Sequence, residues 1–140
     1  MPPVERVQRE INAAMCLGDR LFGAGNYDIV TRTGLIGAYG IVNEYPLLIM
    51  IRTIGDLHPV KTLREFKRVY QFIAPNTRIV IIRTERVRAI SFMNELMKDG
   101  FKSVSSMIIN NDEFKALSEC RDDAVSKLIN QILNAMRQPS

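Results

Sequence analysis

The chain has no tryptophan, one histidine and two cysteines in 140 residues. His58 with Cys16 and Cys120 cannot supply the ligand set of a structural zinc site, so no metal is expected from them. The two cysteines lie far apart in sequence and read as buried free thiols acting as small hydrophobes, with a disulfide left open. No apolar run approaches the ~18 residues that cross a bilayer. The start, MPPVERVQRE, is charged where a signal peptide is apolar, so the expected address is cytoplasmic, or nuclear in a eukaryote, with no membrane partner. Aromatic residues make up 7% of the chain, too few to suggest stacking platforms for single strands. Ser103, Ser105 and Ser106 lack the glycine elbow of a nucleophile. The glycines from Gly23 to Gly25 lack the preceding strand of a phosphate loop. His58, before a proline and without partners, reads as a turn residue rather than a general base.

What is present is a balanced composition, 46% hydrophobic and 24% charged, with a net charge of +4. The length fits one domain with a sizeable core. Apolar residues at Val4, Val7, Ile11, Ala14, Met15 and Leu21 predict a helix over Val4–Phe22, with Pro2 and Pro3 in its first turn and Gly23, Gly25 and Asn26 stopping it. Three strands are expected next, at Tyr27–Arg32, Ala38–Asn43 and Leu47–Ile54, with turns at Thr33-Gly34 and Asn43-Glu44. The third is apolar almost throughout, as in a strand covered on both faces.

A helix over Val60–Ile73 follows, then a second apolar strand, Arg78–Arg83, a helix over Arg86–Lys98 and a strand at Ser103–Ile109. The last helical region runs from Asp112 to Met136, capped by Asn111 and broken near Ser118 to Asp123, with a frayed tail from Arg137 to Ser140. This order predicts an α/β three-layer sandwich with a mixed central sheet, a three-strand meander followed by parallel crossovers.

Several words of the chain, in order, resemble those of the PD-(D/E)xK nucleases, closest to the Mrr-like restriction endonucleases. They are GAYGIV from Gly37, LLIMIRT from Leu47, VKTLREF from Val60, RIVIIRT from Arg78, and KDGF followed by MIINNDEFKAL. Together they span about residues 27 to 117. The resemblance implies a restriction-endonuclease-like fold and a Mg²⁺-dependent site whose parts are replaced here. The family's aspartate falls on Tyr39 or Gly40, its glutamate on Met50 and its lysine on Arg52. A thioether is a poor ligand for a hard cation, and arginine keeps the charge of lysine without giving up its proton.

Three readings follow. The first is a catalytically degenerate domain, without cofactor, that binds nucleic acid through Arg52, Lys61, Arg64, Lys67, Arg68, Arg83, Arg86 and Arg88, for which phosphate contacts would be salt-sensitive and independent of sequence. The competing structural explanation is a solvated helix face partly countered by Glu65 and Glu85. The second is a scaffold for a protein partner or a second copy, with the stripe Leu128, Ile129, Ile132 and Leu133 as its interface. The third is a Mg²⁺ nuclease with relocated carboxylates, Asp28 and Glu44 helped by Asp56 and by Glu5 or Glu10.

Overall fold

A computed structural model describes residues 3–32, 35–71 and 73–137. The elements in chain order are α1 (Pro3–Phe22), β1 (Tyr27–Arg32), β2 (Leu35–Val42), β3 (Tyr45–Arg52), α2 (Pro59–Val69), β4 (Arg78–Arg83), α3 (Ile90–Lys98), β5 (Ser103–Ile108), α4 (Asn111–Ser118) and α5 (Asp122–Arg137). One sheet holds the strands in the order β1-β2-β3-β4-β5. The first two pairings are antiparallel and the last two parallel. The expected meander and crossovers are therefore met.

Strand alternation divides the core in two. Leu47, Ile49 and Ile51 of β3 and Val80 and Ile82 of β4 face α1, α4 and α5; Leu48 and Met50 with Ile79 and Ile81 face α2 and α3. The result is a three-layer α/β sandwich. Turn chemistry closes the β2–β3 hairpin, where Asn43 (φ 52°) and Glu44 (φ 73°) both take the left-handed conformation that a two-residue hairpin loop favours. The Thr33-Gly34 turn, Pro2 and the tail beyond Arg137 lie outside the described residues.

The boundaries move where side chains capture backbone groups. The third strand stops at Arg52 rather than Ile54, because the Thr53 N–H donates to the Glu10 carboxylate at 3.0 Å and the Thr53 carbonyl accepts from Thr84 Oγ1 at 2.8 Å. Arg86 to Ala89 are not helical: the Val87 N–H donates to Thr84, the Arg88 N–H to Asp56, and the Leu57 N–H to the Arg88 carbonyl. Helix α2 ends at Val69, with Tyr70 as its cap, instead of reaching Ile73. The cap of α4 is Asn110, in a reciprocal pair with Glu113, one residue before the expected Asn111.

Two further expectations are corrected. Cys16 and Cys120 are joined as a disulfide with Cα atoms 5.7 Å apart, tying α1 to the turn between α4 and α5. Their separation of 104 residues hid the pairing, which the packing of α4 against α1 creates. The stripe on α5 is not free for a partner. Leu128 and Ile132 are buried, and Ile129 and Leu133 pack against the core beneath α1 and α4. A small sheet flanked by a long α1 leaves a gap that α5 has to fill.

Candidate nucleic-acid interface

Because β3 and β4 are parallel, their carboxyl ends lie together, and open α/β sheets present ligands there. Arg52 and Arg83 are direct neighbours across the two strands. Strand alternation starts both toward the α2 and α3 face, but Arg52 lines a cavity with Glu10 of α1 whereas Arg83 lines one with Asp56 and His58. Each guanidinium is held by the loop after its strand, Arg52 Nε donating to the Gly55 carbonyl at 3.1 Å and Arg83 Nη1 to the Val87 carbonyl at 2.8 Å. Like charges side by side repel, and here the loops fix them in place.

Beyond Arg83 opens a cavity of about 540 Å³, lined by Asp56, His58, Arg83, Glu85, Arg88 and the start of α3 among others. His58 caps α2, its Nδ1 accepting from the Val60 and Lys61 amides, both at 3.2 Å. Helix α3 has no side-chain cap at Ala89. Both helices direct the positive ends of their dipoles toward this end of the sheet. Asp56 braces the site, accepting from the Arg88 amide at 3.0 Å and lying 3.7 Å from its guanidinium.

The remaining cations divide. Lys61 and Arg64 on α2, and Arg86 beside the cavity, are exposed and form no ion pair among the described residues. Lys67 and Arg68 lie toward the other end of α2, paired with Asp99 at 2.9 Å and Glu65 at 3.0 Å. The structure thus brings Arg52, Arg83, Arg86 and Arg88 to one end and leaves Lys67 and Arg68 apart from them.

The positions inherited from the resemblance fall into two environments. Tyr39 shares the face of Met50, whereas Gly40 turns to α1, where any side chain would collide with Phe22. Met50 is 3% exposed and lies opposite Gly37, beneath the α2 layer. These residues do not fit Mg²⁺: Met50 is a buried hydrophobe, and neither Tyr39 nor Gly40 offers a carboxylate. Restoring a carboxylate with Met50→Glu would bury an unpaired charge, and the expected loss of stability is about 3 kcal/mol or more in urea denaturation.

The relocated set does not converge. Asp28 lies opposite Tyr39 on the outer strand β1, Glu44 occupies the hairpin turn beyond Val42, and Asp56 follows the far end of β3. Among the described residues no group of three His, Cys, Asp or Glu side chains is placed to hold a metal ion.

Glu10 is the acidic residue that tertiary structure singles out. It is buried, at 5% exposure, on the inward stripe of α1, and it lines a cavity of about 270 Å³ with Arg32, Arg52 and Ile54. Burial raises its pKa above the ordinary carboxylate value of 4.5, while the hydrogen bond from Thr53 and the charges of Arg52 and Arg6 pull it down. A carboxyl whose folded pKa is raised binds its proton more tightly in the folded state. Stability therefore falls as pH rises from the unfolded pKa through the folded one. Glu10→Gln keeps an acceptor for the Thr53 N–H, so the variant should flatten this decline in chemical denaturation above about pH 4.5, without loss of stability at neutral pH.

Comparison of the chain with protein families, with curated proteins and with solved structures finds no match.

Proposed function

We propose that the chain is a catalytically degenerate, nuclease-like domain that binds nucleic acid by its phosphate backbone at the carboxyl ends of β3 and β4. The observation that carries this reading is the adjacent pair Arg52 and Arg83, anchored by their loops and extended by Arg86 and Arg88. Two arginines at paired positions of adjacent strands, each keeping guanidinium donors beyond the one its loop takes, suit contacts to phosphate. Lys61 and Arg64 on α2 lengthen the positive surface.

The order of elements, one helix, three meandering strands and then parallel crossovers, is that of the nuclease family the sequence resembles, and it supports descent from such an enzyme. The missing carboxylates support binding without cleavage. No cofactor belongs to this reading. A cytoplasmic or nuclear address does, although no helix among the described residues is long and apolar enough to cross a membrane whatever the compartment. The Cys16–Cys120 disulfide weighs against that address, since most cytosols and nuclei keep thiols reduced, and it favours a setting where thiols stay oxidised.

The test is titration of the protein with labelled duplex and single-stranded DNA and RNA at several salt concentrations, with and without Mg²⁺. Binding that weakens linearly with log salt and leaves the substrate intact is the expected result. Metal-dependent cutting would return the chain to the active nucleases.

A further inference from the structure

We propose that β5 is a dimerisation edge, across which two copies of the chain pair antiparallel to form one sheet continuous through both. The sheet order makes β1 and β5 the outer strands. Natural edges are guarded by charge, proline or bulges, because an open row of amides and carbonyls invites another strand. β1 carries Asp28 and Arg32. β5 reads SVSSMI, with no charge and no proline, and its register with β4 runs without a bulge.

The open side of β5 follows from one hydrogen bond. The Ile109 N–H, just past the strand, donates to the Arg83 carbonyl at 2.9 Å, so residues of that parity turn their backbone groups to β4. By alternation the amides of Val104, Ser106 and Ile108 point away from the sheet. Among the described residues none of the three donates to a side chain or another strand. Ile108, at 59% exposure, adds an apolar side chain to the same strand.

An outward row of backbone donors and acceptors is satisfied by an extended strand. A second copy fits best, because a strand paired antiparallel with itself makes a closed, isologous contact. An uncharged strand brings no like charges opposite each other. Antiparallel pairing also sets Lys102, exposed ahead of β5, beside the far end of the partner copy's strand, where Asp112 and Glu113 open α4. The two carboxyl ends of the sheets would then point in opposite directions, leaving both arginine clusters uncovered. The inference is independent of what those clusters bind.

Sedimentation equilibrium of the full chain, combined with hydrogen–deuterium exchange, tests it. The expected result is a dimer in which the Val104, Ser106 and Ile108 amides exchange slowly and speed up on dilution. Ile108→Lys should weaken the dimer by at least about tenfold by placing a guarding charge on the edge that would have to be desolvated against the partner strand. Ser106→Pro should do the same by removing an outward amide while leaving the bonds to β4 intact. Far-UV circular dichroism checks that both variants stay folded, and exchange in the wild type requires no variant. A wild-type monomer at millimolar concentration overturns the proposal and leaves the edge to some other strand. A dimer whose β5 amides exchange fast, or which survives both substitutions, overturns it as well by locating the interface elsewhere.

Discussion

Reduction of the Cys16–Cys120 disulfide, or replacement of both cysteines by serine, is expected to remove about 4–5 kcal/mol of stability if the loss is governed by chain entropy. The bond closes a loop spanning most of the chain, with a sequence separation of 104, and the entropy of an open chain grows with loop length. The loss should appear as a fall in Tm of about 10 °C or more in a domain of this size. Calorimetry of the oxidised, reduced and doubly substituted proteins measures it. Cys120 is exposed and Cys16 is buried at 5% exposure, so the double serine variant also places a hydroxyl in the core and should be slightly less stable than the reduced protein. Indistinguishable melting of all three forms would show that α1 and the α4–α5 turn are held by packing alone.

The second large effect concerns binding. Arg86→Ala, Lys61→Ala and Arg64→Ala, combined in one protein, should weaken nucleic-acid affinity by about tenfold for each phosphate interaction removed and lower the salt slope by about one for each. Lys67→Ala and Arg68→Ala should change affinity far less. The geometry makes the distinction: the first three are exposed without ion pairs among the described residues, whereas Lys67 is held by Asp99 and Arg68 by Glu65. Arg52 and Arg83 are poor choices for this comparison, since each also ties down a loop. Fluorescence anisotropy over a range of salt concentrations gives both quantities. Equal losses from the two groups of variants would mean a diffuse positive surface, and no loss from either would remove the proposed interface.

The layered fold was legible in the chain because it rests on local periodicity. LLIMIR and RIVIIR are apolar at every inner position, which suits only strands covered on both sides, and the helices between them dictate parallel crossovers. Element ends were less legible where long-range hydrogen bonds override propensity, as at Thr53 and at Arg86 to Ala89. The candidate site was legible in part. Arg83, Arg86 and Arg88 are close in sequence, but their meeting with Arg52 needs the register of two strands separated by a helix. On α2 the basic stripe looked uniform, and only the turn at Asp99 distinguishes Lys67 from Lys61.

By itself, the sequence determined the order of helices and strands and the burial of the two central strands, because these depend on residue type and short spacing. Tertiary structure alone decided the disulfide, the burial of the α5 stripe, the inward position of Glu10 and the division of the arginines into an anchored cluster and a paired remainder. Each of these joins residues far apart along the chain, and such pairings exist only once the sheet has set its register and the helices have packed on its two faces.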